Sequence, residues 1–259
     1  MKRDICSRTN PATGCQSVVD RQEVQPFPSE GPLLKNLGLP LPMLTTRIGK
    51  IQSRAYSYVV RTVKLNRDTT TFEQHGSAPN FQGDALTLCT CKHQMRSSLS
   101  AAQWQDDVWI VGFTSRTIYD GKHWLFYLAK VKSAHDSHTN LWNRMKAETR
   151  KEKAAHLHYL GDLYKPRTPG PTGNAVFSPS RYLMPENHVH RPYPGHKGWR
   201  NDINYRHAAK FGHPSLLVAD PRQTFLWEEP MIFFAQKHCR NYLKWTSLQE
   251  LVCQLRERR

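Results

Sequence analysis

Residues 107–132 read DVWIVGFTSRTIYDGKHWLFYLAKVK, and this stretch sets the fold class. Two runs, Asp107 to Ser115 and His123 to Lys132, are rich in β-branched and aromatic residues. Between them lies RTIYDGK, whose Asp120-Gly121 tolerates the positive φ that a tight turn demands. The pattern predicts an antiparallel pair with an elaborated loop. Upstream, AYSYVVRTVKL (Ala55 to Leu65) alternates as a strand, with Tyr56, Tyr58, Val60 and Thr62 on one face and Ala55, Ser57, Val59, Arg61 and Val63 on the other. Downstream, PSLLVAD and QTFLW predict two short strands.

Helical signals flank these runs. Leu141 to Leu157 is rich in helix formers, although its charges leave only a modest apolar stripe. Near the end, Ser247 followed by Glu250 forms a capping-box pattern ahead of Leu248, Leu251, Val252 and Leu255 at helical spacing. The expected class is α+β, a mixed or antiparallel sheet or small barrel with flanking helices. Residues 1–47 are polar and broken by prolines, which predicts an extended, irregular segment. Residues 48–259 then form one domain, with a long basic and aromatic loop at 164–205 and a C-terminal helix.

The chain has 259 residues, 37 Lys and Arg against 21 Asp and Glu, and a net charge of +16. A surplus of this size favours a polyanion, because each neutralised phosphate releases counterions and adds sequence-independent affinity. DNA is the expected partner. No apolar run approaches the roughly 18 residues of a membrane span, and the opening MKRDICSRTNPATGCQS lacks the apolar core of a signal peptide. A soluble, cytoplasmic protein without membrane contact is therefore expected, its six cysteines reduced. Cys89-x-Cys91 with His93 is tighter than common zinc spacings and lacks a second knuckle, so no metal is assigned. Neither a Walker loop nor a Gly-x-Gly-x-x-Gly occurs, and no cofactor is expected.

Chemistry concentrates in HGSAPNFQGDALTLCTCKHQMR, His75 to Arg96. Asn80 follows a proline in a turn; its amide can read a base edge or hold a water, or simply shape the turn. Lys92 and Arg96 lie four apart, so a helix there places both on one face toward phosphate. Lys92 can alternatively serve as an amine nucleophile. Cys91 beside His93 reads as a nucleophile or as a small buried thiol. Asp162, ahead of Asp84 and Asp202, is the carboxylate able to activate water, with loop capping as the alternative. Tyr56 and Tyr58 either stack on a base or pack the core. The 164–205 loop interleaves cations with rings and contributes Tyr164, Arg181, His190, Trp199 and Arg200 to a nucleic-acid surface. A surface loop packed by its own aromatics asks for the same residues.

The blocks AYSYVVR, GSAPN, LTLCTCKHQMR, DVWIVGF, FYLAKV and GDLY, in that order, resemble the second family of nucleotide-modification-associated domains. The resemblance covers roughly Ala55 to Phe234. Matching positions are Tyr56, Ser57, Tyr58, Gly76, Ala78, Pro79, Asn80, Thr87, Leu88, Cys91, Lys92, Arg96, Trp109, Ile110, Val111, Gly112, Lys130, Val131, Gly161, Asp162 and Tyr164. Cys89 stands where the pattern has alanine and His93 where it has proline. Asp106-Asp107 replaces Gly-Asp, and one residue is missing between Asp162 and Tyr164. The strand, Gly/Asp turn, strand and Lys-Val arrangement also resembles small β-barrels of the PUA and EVE type.

The resemblance implies action on DNA with modified bases. The expected function is excision of a hypermodified, phage-type base, for instance a glucosylated cytosine, in anti-phage defence. After base flipping the N-glycosidic bond is hydrolysed, with Asn80, Asp162 and Lys92 as catalytic residues. Arg96, Tyr56, Tyr58, Tyr164, Arg181, His190, Trp199 and Arg200 bind the nucleic acid. A non-catalytic reader of modified bases, or an enzyme that installs them, uses the same rings, amides and cations.

Overall fold

The computed structural model describes residues 27–28, 31–49, 52–157, 159–185, 198–238 and 241–258. Ten strands occur there: β1 (Ala55–Val60), β2 (Val63–Asn66), β3 (Thr71–Gln74), β4 (Thr87–Leu88), β5 (Trp109–Thr114), β6 (His123–His135), β7 (Leu216–Leu226), β8 (Ile232–Phe234), β9 (Leu243–Trp245) and β10 (Leu255–Glu257). Seven helices accompany them: α1 (Leu41–Ile48), α2 (His93–Arg96), α3 (Ala101–Trp104), α4 (His138–Arg144), α5 (Ala147–Lys153), α6 (Arg200–Asn204) and α7 (Leu248–Val252).

The architecture is α+β, built on a curled mixed sheet. Its axis is the 13-residue β6. One edge of β6 pairs antiparallel with β5, and the other pairs with β8 near His123 and with β7 from Tyr127 to His135. β5 continues to β1, which runs parallel to it, and β9 closes that side antiparallel to β1. β4 extends the sheet beyond β7, while β2 and β3 form a separate hairpin.

Both faces of the sheet are covered, and this explains why the central strands read as unbroken apolar runs. Tyr56, Tyr58, Val60, Ile110, Trp124 and Phe126 enter one hydrophobic cluster, whereas Ala55, Trp109, Val111, Phe113, Leu125 and Leu128 enter another on the opposite face. Successive residues point to opposite sides of a pleated strand, so each sheet face receives its own core. No helix among the described residues is long and apolar enough to cross a membrane.

Four elements differ from the sequence-based expectation. Residues 32–48 are ordered into a 3-10 turn, Pro32–Asn36, and helix α1, with Leu33 and Leu44 completely buried. Pro40 and Pro42 flank the first helical position of α1, where a fixed φ assists initiation and a missing N–H is harmless. Docking follows from backbone bonds: Gly38 N–H donates to Leu226 O (2.8 Å), and the Trp227 indole donates to Leu39 O (2.9 Å). The expected helix from Leu141 to Leu157 is two short helices, broken at Met145 and Lys146, both with extended ψ. The apolar stripe was too thin to hold a continuous helix on the core.

The two late strands are one, because β7 continues through Pro221 with the register shifting against β6. The C-terminal helix ends at Val252. Leu255, expected on it, lies in β10 and pairs with Phe234 of β8, burying its side chain where a further helical turn would leave the β8 edge unpaired.

Gly112 has no room for a side chain: a Cβ there would sit 2.2 Å from Cε1 of Tyr127 and 2.9 Å from Cγ2 of Val60. The Tyr127 ring is held in place by the hydrogen bond its hydroxyl donates to Tyr58 (2.7 Å). Gly112→Ala is expected to destabilise the fold by about 3 kcal/mol, the upper range for overpacking a close-packed core, read as a lower urea midpoint.

Candidate functional site

β4 is only two residues long, yet it launches the segment that carries the chemistry. It is held by Asp162. One carboxylate oxygen accepts from the Thr87 hydroxyl (2.9 Å) and the other from Cys89 N–H (3.0 Å). Asn80 bridges from the other side, exchanging backbone hydrogen bonds with Thr87 and donating its amide to Leu160 O (2.6 Å). Its side-chain oxygen accepts from Gln82 N–H and from Lys153 Nζ (3.1 Å), and Lys153 also donates to the carbonyls of Asn80 and Ala85. Asn80, Lys153 and Asp162 are all completely buried. Burial pushes the Asp162 carboxyl up to about 6, opposed by Lys153, and lowers the Lys153 ammonium to about 8, opposed by Asp162.

Asn80 and Asp162, expected to face substrate, are therefore spent on internal bonds that hold β4. Lys153 was not singled out from the sequence; a lysine at the end of a charged helix gives no sign that its ammonium turns inward.

Beyond β4 the chain makes a turn in which Cys91 (φ 55°) and Lys92 (φ 46°) are both left-handed. Two consecutive side-chain-bearing residues in this region are costly, and such strain persists only where the surroundings over-determine it. Here the restraints are visible. Cys91 N–H donates to Asp202 Oδ1 (3.2 Å), and Cys91 O accepts from Arg96 Nε (2.9 Å). Arg96 is completely buried and also donates to Ser215 O (2.9 Å). It does not share an outward face with Lys92: α2 begins only after Lys92, and the guanidinium turns inward as a brace for the turn. Its Nη2 has no hydrogen-bond partner among the described residues. Burial lowers the Arg96 pKa, opposed by Cys89 and Asp202.

Asp202, on α6, gathers the remaining groups. The His93 Nε2–H donates to Oδ1 (2.8 Å), and the Tyr164 hydroxyl donates to Oδ2 (2.9 Å). The Asp202 side chain is 1% exposed and that of His93 15%. His93 stacks on Tyr205 with centroids 4.7 Å apart, and Tyr164 packs against His138 and Trp199. A buried carboxylate holding one imidazole nitrogen leaves the other as the base nitrogen, the arrangement of a positioned general base. His93 and Asp202 were minor candidates in the sequence, since 109 positions separate them.

Cations and rings surround this centre. Lys92 Nζ lies 4.9 Å from the Tyr58 ring centroid and 3.5 Å from Asn241 O. Lys210 donates to the Tyr242 hydroxyl (2.7 Å), which also accepts from Ser98, and Lys244 lies over Tyr56. The Tyr242 pKa is lowered: its burial works the other way and is outweighed by the Lys210 and Ser98 hydrogen bonds with the charges of Lys210 and Lys244. Tyr56 and Tyr58 are core residues, packed on Trp104 and hydrogen-bonded to Tyr127 respectively. Of the 164–205 loop, Arg181 and Arg200 are exposed, Trp199 is half-buried and His190 lies outside the described residues. A separate cavity of about 450 Å³ is lined by Phe27, Phe81, Asp84, Glu148 and Glu152; its three carboxylates oppose entry of a polyanion. Among the described residues no group of three or more His, Cys, Asp or Glu side chains is placed to hold a metal.

The buried pair has a pH signature. Asp162 titrates higher in the folded chain, so its contribution to stability is complete below about 3.8 and is lost as pH rises through about 6. Lys153 titrates lower, so its contribution is present above about 10.5 and is lost as pH falls through about 8. Denaturation against pH is expected to show both limbs. Lys153→Met is expected to cost about 3–5 kcal/mol near neutrality and to move the acid limb upward, because Asp162 is left buried without its cation. No family model, curated protein or solved structure matches this chain.

Proposed function

We propose that the chain is a DNA-binding enzyme that excises a modified base, with the Cys91–His93 turn as its active centre. In this reading the target nucleotide is extruded, its base rests against His93, Tyr205 and Trp199, and Lys92, Lys210 and Lys244 meet the flanking phosphates. His93, oriented by Asp202, takes a proton from the attacking water as the glycosidic bond breaks. Tyr164 holds the second oxygen of Asp202 and keeps the carboxylate aimed.

The observation that carries this reading is the His93–Asp202–Tyr164 chain, desolvated at its centre and joined to a doubly left-handed turn among lysines. The net charge of +16 supports a polyanionic substrate, and the resemblance of the sequence blocks supports modified DNA within that class. One observation favours the reader alternative: Asn80 and Asp162 are consumed internally, which leaves a base-binding surface with fewer reactive carboxylates.

The test is to incubate the protein with unmodified and hypermodified phage DNA, then assay abasic sites and released base by mass spectrometry. Release confined to modified DNA is expected, with His93→Gln and Asp202→Asn each slowing it by about 10²–10⁴-fold, the usual contribution of a general base. Tight binding without release identifies a reader. Release that neither variant slows removes His93 and Asp202 from the chemistry.

A further inference from the structure

We infer that Lys92 is an amine nucleophile toward an abasic deoxyribose, giving the site a strand-cleaving lyase activity beyond base release. The inference rests on the reading that this turn faces DNA, but not on base excision itself.

The argument starts from the backbone. Left-handed φ at both Cys91 and Lys92 is maintained by a clamp on either side of the Cys91 peptide, from Asp202 and from buried Arg96. Turn formation alone does not call for this, since glycine or asparagine at the same positions would remove the strain. What the clamp accomplishes is to hold the Lys92 Cα in one place, its half-buried stem lying along the Tyr58 ring, directly before the residue whose imidazole is held by Asp202. An amine beside a positioned base is the pairing that imine chemistry requires.

Other lysines of the region are less suited. Lys153 is entombed with three acceptors, and Lys210 donates to both Gln94 O (3.1 Å) and the Tyr242 hydroxyl. The Lys92 hydrogen bond to Asn241 O, at 3.5 Å, is long enough to be exchanged readily for a substrate contact.

The steps balance without an external oxidant or reductant. The Lys92 Nζ lone pair adds to the C1′ aldehyde of the open abasic sugar, and loss of water gives the protonated imine. His93 accepts the C2′ proton; the C2′–H electrons form the C2′=C3′ bond, and the C3′–O bond breaks with its pair leaving on the 3′-phosphate. Water then hydrolyses the imine, releasing an unsaturated aldehyde and restoring the amine.

The experiment uses the full chain with a duplex bearing one abasic site, generated enzymatically from deoxyuridine, in the presence of borohydride. A covalent adduct is expected, mapping by peptide mass spectrometry to Lys92 and lost in Lys92→Met, with folding of that variant checked by circular dichroism. Without borohydride, His93→Gln should still form the adduct yet cleave the strand about 10²-fold more slowly. No adduct with the wild-type chain, or an adduct on another residue, overturns the inference. Mapping on the wild type keeps the test decisive even if Lys92→Met misfolds. An adduct on abasic DNA without base release from modified DNA retains the nucleophile and sinks excision; release without an adduct does the reverse.

Discussion

The Asp162 carboxylate, accepting from the Thr87 hydroxyl and from Cys89 N–H inside a dry core, is the contact on which the candidate centre hangs. A two-residue strand such as β4 cannot hold its own register; the carboxylate supplies what a longer ladder would otherwise provide. The arrangement costs desolvation of an anion, offset in part by the Lys153 ammonium, which is bound to Asn80 and Ala85 and kept charged by Asp162. Asn80, Lys153 and Asp162 thus form one unit. Removing any member leaves another buried and unsatisfied, so their importance to the centre is positional.

Downstream of that unit, strain and electrostatics meet. The left-handed pair at Cys91 and Lys92 is braced by Asp202 above and Arg96 beneath, one anion and one cation, each almost wholly removed from water. In a low-dielectric setting such charges act over longer distances than at the surface. Asp202 serves three donors at once: a backbone N–H, an imidazole and a phenol. A single carboxylate therefore fixes the turn, orients His93 and draws Tyr164 of the long loop onto the sheet.

Surface charge is unevenly placed. Lys92, Lys210 and Lys244 ring the centre with Tyr242, whereas Asp84, Glu148 and Glu152 line the cavity beside Phe27 and Phe81. In a chain with so large a cationic surplus, a concave acidic surface steers phosphates elsewhere. The concave feature of greater volume and the chemically equipped turn are therefore different places.

Much of the sheet was legible in the sequence. The apolar runs of β5 and β6, the Asp120-Gly121 turn between them and the alternation of Tyr56, Tyr58 and Val60 follow from side-chain period and turn chemistry, which are local properties. The Ser247 cap of α7 was equally local. The sequence also pointed to the segment that matters, through its density of Asn80, Cys91, Lys92 and Arg96. What it could not determine was which polar side chains face inward. Arg96, Asp162 and Lys153 look like surface residues until the fold surrounds them, because burial of a charge depends on partners up to 119 positions away, as with Arg96 and Ser215. The His93–Asp202 contact, the ordering of residues 32–48 on β7 and the conversion of Leu255 from helix to strand were likewise decided by tertiary structure. Each satisfies a hydrogen-bonding group or an open edge that another part of the chain creates, and no local pattern records that demand.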